Sequence, residues 1–137
     1  MSAELCWSII RKNSCFLLKN NGLQLTKEPN NLAGVNTFKH NGLVNKKTVG
    51  VDAAPDGKGV VLSLRKSKSG NKPSKAITKT TISKGSRHAI KTIKNTLEKA
   101  GYRKDLVDPA TRRACAILRA QKTGSAIKKR RSRRKKL

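Results

Sequence analysis

SRHAIKTIKNTLEKAG, residues 86–101, is where the hydrophobic period of the chain changes, and its reading decides the fold class. Ile90, Ile93, Leu97 and Ala100 recur every three or four residues, the spacing that gathers side chains on one face of a helix. Ser83 or Ser86 can cap the start, and Gly101 stands where a helix stops by entering the left-handed region. Lys84, Arg87, Lys91 and Lys94 fall largely off the apolar stripe. The next segment, DPATRRACAILRAQK (108–122), repeats the device. Asp108 is a candidate N-cap, and Pro109 sits at the first helical position, where its missing N–H costs nothing. Ala110, Ala114, Ile117 and Leu118 form an inner face, with Arg112 and Arg119 on the outer stripe beside Arg113. Each helix therefore offers one apolar face to a core and one basic face to a partner.

Upstream the period is two. Val60, Leu62 and Leu64 alternate with Val61, Ser63 and Arg65, which predicts a strand over 60–65, entered through the turn Asp56-Gly57-Lys58-Gly59. Ala76–Ile82 resumes with β-branched residues after a polar, basic loop at 66–75. Near the N-terminus, Leu5–Ile10 alternates as a strand would, and Arg11–Ser14 reads as a turn. Cys15–Lys19 and Leu23–Lys27 make a hairpin around Asn20, Asn21 and Gly22, residues that accept positive φ. Glu28, Pro29, Asn30 and Asn31 break the pattern. Asn41-Gly42, between Phe38 and Leu43, is a further tight-turn signal. The expected fold is α+β: a small antiparallel sheet from the N-terminal half, packed with two C-terminal helices and followed by a basic extended tail. One domain over 1–124 and a tail over 125–137 follow, a body large enough for one modest core.

Charge points to the partner. The chain holds 33 Lys and Arg against seven Asp and Glu, a net +26 on 137 residues. Residues 1–60 carry eight basic and four acidic groups, residues 61–137 twenty-five and three, so the C-terminal half is the expected contact surface. Eight of the nine residues from Lys128 to Lys136 are cationic. Such a run repels itself and has almost nothing apolar to bury, so it needs a polyanion to lie against.

Catalysis finds little support. The seven carboxylates are scattered, and Asp56 and Asp108 have turn and cap roles. His40 and His88 lie far apart with no partner at ligand spacing, so no metal and no cofactor are expected. Cys6, Cys15 and Cys115 have no CxxC spacing and suggest free thiols in a reducing compartment, cytosol or nucleus. No apolar run is long enough to span a bilayer, and no small-molecule substrate is implied. Clustered Lys and Arg suit nucleic-acid phosphates, while four aromatics, Trp7, Phe16, Phe38 and Tyr102, are too few for a base-stacking platform. A duplex-DNA packing protein would share the charge but not the strand-rich first half. A small cationic ribonuclease would need an acid and a base.

Four strings carry a family likeness: EPNNL (28–32), NTFKHNGLVNKKTVGV (36–51), DGKGVVL (56–62) and RRACAILRAQK (112–122). The chain resembles the eukaryotic large-subunit ribosomal protein twenty-eight family from its MSAELCW start almost to its end. His40 and Cys115 stand where the family has Tyr and Ser, and the last dozen residues are similar in charge alone. The resemblance implies a non-catalytic component of the cytosolic large subunit, in contact with ribosomal RNA and neighbouring ribosomal proteins, cytoplasmic after nucleolar passage during assembly. A ribosome-assembly factor family with a related domain is the nearest alternative.

The candidate RNA-contacting cations are Lys39, Lys46 and Lys47; Arg65, Lys66, Lys68, Lys72 and Lys75 around the basic loop; and Arg87, Lys91 and Lys94 on the first helix. Arg103, Lys104, Arg112, Arg113, Arg119 and Lys122 follow on and before the second. The tail adds Lys128, Lys129, Arg130, Arg131, Arg133, Arg134, Lys135 and Lys136.

Overall fold

The computed structural model describes residues 2–67, 72–99 and 101–134, with the backbone alone for Pro73 and for 123–134. In chain order the elements are α1 (Ala3–Ile10), β1 (Leu17–Asn20), β2 (Leu23–Thr26), β3 (Val49–Ala53), β4 (Val60–Arg65), α2 (Pro73–Ala76), β5 (Ile77–Ile82), α3 (Ser86–Lys99), a 3₁₀ turn (Lys104–Leu106) and α4 (Val107–Arg134).

β3, β4 and β5 form an antiparallel meander in that order, with Val51 opposite Leu62 and Val60 opposite Ile82. Pairing puts Val49, Val51, Val60, Leu62 and Ile82 on one face, as the alternation of β4 requires, and α4 lies against β3 and β4 on that side. The core is completed by Ala89, Ile93 and Leu97 of α3 and by Leu106, Val107, Ala110, Ala114 and Leu118. Each large aliphatic buried there contributes about 1.5–3 kcal/mol relative to exposure. Small alanines at 89, 110 and 114, all fully buried, leave room for close helix packing. The sheet was legible at β4 and β5. β3 was not, because Gly50 and Asp52 interrupt its apolar positions. Its tight turn to β4 bends at Gly57 and Gly59, with φ of 71° and 91°. At Gly59 a Cβ would meet the Ile82 carbonyl oxygen at 2.3 Å, and the Gln121 side-chain amide both donates to its carbonyl (2.9 Å) and accepts from its N–H (3.0 Å).

The N-terminal segment departs from expectation. Residues 3–10 are a helix, not a strand: Ser2 caps it by accepting the Leu5 N–H at 3.2 Å, and Glu4 sits in the first turn. The half-buried residues are Ala3, Cys6, Trp7 and Ile10, a helical stripe that the accidental alternation of Leu5, Trp7 and Ile9 concealed. Trp7 meets Phe38 edge to face, with centroids 5.9 Å apart. The hairpin forms with shifted bounds: Cys15 and Phe16 precede β1, Asn20 pairs with Leu23 inside the ladder, and a two-residue turn, Asn21 at φ 44° and Gly22 at φ 79°, joins β1 to β2.

Asn41-Gly42 makes no hairpin. Asn41 is buried; its Oδ1 accepts from the N–H groups of Leu43 and Val44, and its Nδ2 donates to Glu28 Oε2 at 2.8 Å. Asn31 donates to the other oxygen of the same carboxylate at 2.6 Å, and its Oδ1 accepts from Ala33 and Gly34. Two side-chain amides thus satisfy one buried carboxylate while folding two loops around it. Gly42 is required because its hydrogen faces the Pro29 carbonyl oxygen, where a Cβ would stand at 2.2 Å. Glu28, Asn31 and Asn41 are therefore a buried polar cluster within EPNNL and NTFKHNGLVN, while Thr37, Phe38, Lys39 and Leu43 of the second string stay exposed.

α3 buries Ala89, Ile93 and Leu97, with Ile90 only half-buried at its flank. Ala100 lies outside the described residues. Gly101, at φ 55°, closes the helix: its N–H reaches the Glu98 carbonyl and that of Tyr102 reaches Leu97. α4 begins one residue before the expected cap, so Asp108 and Pro109 lie in its first turn, and the 3₁₀ turn delivers the chain into it. Part of the expected loop at 66–75 is the one-turn helix α2. Helical backbone continues to Arg134, and the tail expected over 125–137 falls, for its side chains and for 135–137 entirely, outside the described residues.

Candidate nucleic-acid interface

Because α3 and α4 are joined by a short connection and packed side by side, their outward stripes converge on a groove. On α4, Arg112, Cys115, Ala116, Arg119 and Lys122 follow each other at helical spacing; on α3, Ser86, Ile90 and Lys94 do the same. They enclose two adjoining cavities of about 390 and 260 Å³ that share Ile90, Cys115 and Arg119. Lys94 and Arg112 stand at one end and Ser86 and Lys122 at the other. Among the described residues no carboxylate lines either cavity. Arg87 and Lys91 are exposed on the neighbouring surface of α3. On the opposite flank of α4 a cavity of about 450 Å³ is lined by Leu32, Ala33, His40, Pro109, Arg112, Arg113 and Ala116, so Arg112 stands on a ridge between two depressions.

A second basic region gathers around Tyr102 and Arg103. The Tyr102 hydroxyl donates to the carbonyls of Thr48 (3.3 Å) and Arg65, and burial pushes the phenol above its ordinary pKa. Lys47 Nζ lies 5.5 Å from the centroid of its ring. Arg103 grips Asp105 with Nε and Nη2 at 3.0 and 2.7 Å and donates to the carbonyls of Lys47 (3.1 Å) and Lys39 (2.9 Å). That hydrogen-bonded ion pair is the first cause holding the Asp105 carboxyl below its usual range. Burial, Lys39 and Arg103 together lower the pKa of His40. Arg103 is thus a clamp that presents Lys39, Lys46 and Lys47, all exposed, beside Lys104. Arg65 donates to the Asn45 carbonyl at 3.4 Å, and Lys66, Lys72 and Lys75 are exposed nearby in the chain.

Arg112 and Arg113, adjacent in sequence, separate. Arg112 is exposed, whereas Arg113 turns to the body, its Nε 2.7 Å from the Val51 carbonyl and its Nη1 3.3–3.4 Å from those of Leu32 and Asn31. Its ion pair with Asp52 at 3.4 Å is half open to water. Lys68, Lys135 and Lys136 lie outside the described residues, as do the side chains of Lys128, Lys129, Arg130, Arg131, Arg133 and Arg134. Sequence reading passed over the groove floor: Ile90 and Cys115 look like core residues in a periodicity count, and only helix packing shows that they face outward between cations. Lys84, off the apolar stripe, and Lys79 on β5 are also exposed. Among the described residues no group of three or more His, Cys, Asp or Glu is placed to hold a metal, and no helix is long and apolar enough to cross a membrane.

Comparison with known proteins finds a match to the model of the Ribosomal L28e protein family over residues 5–120. The chain is 37% identical over 131 residues to the large ribosomal subunit protein eL28 of Schizosaccharomyces pombe, covering 93% of this chain and 98% of that relative. The Caenorhabditis elegans protein of the same name is also 37% identical over 131 residues, covering 94% and 98%. That of Trypanosoma cruzi is 31% identical over 134 residues, covering 96% and 88%.

Proposed function

The chain belongs to the Ribosomal L28e protein family, a non-enzymatic ribosomal protein, and from that premise we propose that it is a structural constituent of the cytosolic large subunit that binds and stabilises ribosomal RNA. The observation that carries the reading is the two-sidedness of the α3/α4 pair: fully buried Ala89, Ile93, Leu97, Ala110 and Ala114 inside, and a carboxylate-free groove rimmed by Lys94, Arg112, Arg119 and Lys122 outside. Such an array suits phosphates, which fix position and supply affinity without reading sequence. The Lys39–Lys47 region, the loop after β4 and the basic tail extend the same charge. Arg103 and Arg113 shape this surface through carbonyl contacts. Neighbouring ribosomal proteins complete the surroundings, and assembly takes the chain through the nucleolus before it works in cytoplasmic translation. Affinity for deproteinised large-subunit RNA, measured against salt, tests the reading: on the order of ten neutralised phosphates gives a log–log slope near −7 to −9. A nearly flat response contradicts it.

A further inference from the structure

We propose that the groove between α3 and α4 receives an unpaired nucleobase of the bound RNA, an inference that rests on the RNA-binding reading above. Phosphates alone call for cations, and the groove has more than cations. Its floor is Ile90, Cys115, Ala116 and Leu118, with the buried Thr111 beside Arg112, a mainly apolar strip between four positive side chains. Left against water such a strip gains nothing; covered by the flat face of a base it is buried while the flanking phosphates meet the rim. The larger cavity, about 390 Å³, lies in the range of clefts that hold small ligands, roughly 300–1,000 Å³. Arg112 and Arg119 lie seven residues apart along one wall, about 10 Å at the helical rise, so both can border the same nucleotide. A guanidinium plane stacks on bases, which replaces the aromatic platform this groove lacks. The absence of any carboxylate from the lining removes the repulsion that would keep an RNA strand out.

Cys115 supplies the test, because it lies in the floor and is a free thiol, while the exposed free thiol Cys15 serves as an internal reference. Alkylation of the full chain is followed with and without deproteinised large-subunit ribosomal RNA, and binding of the same RNA is measured across salt for wild type and Cys115→Phe. The expected result is Cys115 alkylation slowed at least ~10-fold by RNA relative to Cys15. Cys115→Phe, with melting curve intact, binds about tenfold weaker at every salt concentration with an unchanged slope, because it blocks the floor without removing a phosphate contact. If Cys115→Phe binds normally, or if Cys115 in the complex reacts at its free rate, the base is elsewhere; the inference falls and the RNA-binding reading stands. Absence of RNA binding by the wild type overturns both.

Discussion

Replacing Arg113 by Ala removes a guanidinium that ties α4 to β3 and to the loop before it. Its shortest bond, to the Val51 carbonyl at 2.7 Å, joins a charged donor to the backbone of a residue 1% exposed. A hydrogen bond to a charged group is worth about 1.5–3 kcal/mol, and the carbonyl left behind adds to the loss. The bonds to Asn31 and Leu32, at 3.3–3.4 Å, are long and contribute less, and the half-open pair with Asp52 adds at most about 1 kcal/mol. The expected destabilisation is therefore about 2–3 kcal/mol, or roughly 10 °C in melting temperature for a domain of this size. Arg112→Ala, one residue earlier and exposed, should change stability by less than about 0.5 kcal/mol. The pair reverses in RNA binding: Arg112→Ala reduces the magnitude of the salt slope by about 0.7–0.9, the value of one phosphate, and Arg113→Ala leaves it unchanged. Thermal melting followed by circular dichroism, with RNA titrations over salt, reads both effects. An Arg113→Ala variant that melts as wild type does and loses a phosphate's worth of slope refutes the reasoning.

Three further outcomes are expected. Ile93→Asp places an unpaired charge at a fully buried position and should unfold the helical half at a cost of several kcal/mol, roughly; retained helicity with an unchanged melt would show the core is misplaced. Gly59→Ala should lower stability by more than 1 kcal/mol, about the least that strain at φ 91° costs, with the contact to the Ile82 carbonyl added, whereas Gly57→Ala, which meets open space, carries the φ strain alone; equal melting of the two would remove the packing argument. In acid, His40 and Asp105 act in the same direction. Both have folded pKa values below their unfolded ones, so the stability each lends is complete above about 6.5 and 3.8 respectively and is lost as pH falls through the folded value. His40→Gln should flatten the upper window only and Arg103→Gln mainly the lower one, read from melting temperature against pH.

The parts of the fold that could be read from the chain are those where one period dominates. β4 alternates cleanly, and the hairpin at Asn21-Gly22 carries residues that tolerate positive φ. The two C-terminal helices show their stripes, though Ala89 rather than Ile90 faces the core, because packing against α4 favours the small residue. The misreadings share a cause. Leu5–Ile10 is too short to distinguish periods two and 3.6, and the Ser2 cap settles it. Asn41-Gly42 has the composition of a hairpin turn, but a buried carboxylate thirteen residues earlier recruits Asn41. Long-range partners of that kind leave no local trace. The same holds for the candidate site: the surroundings of Arg112 and Arg113 diverge through a contact with β3 that no spacing announces.

Sedimentation of the tagged chain from cell lysate tests the central claim most directly, with magnesium chelation followed by moderate salt. Co-migration with large ribosomal subunits that survives both treatments is expected. Migration confined to nuclear pre-ribosomal particles, or a chain free of large subunits, would contradict it.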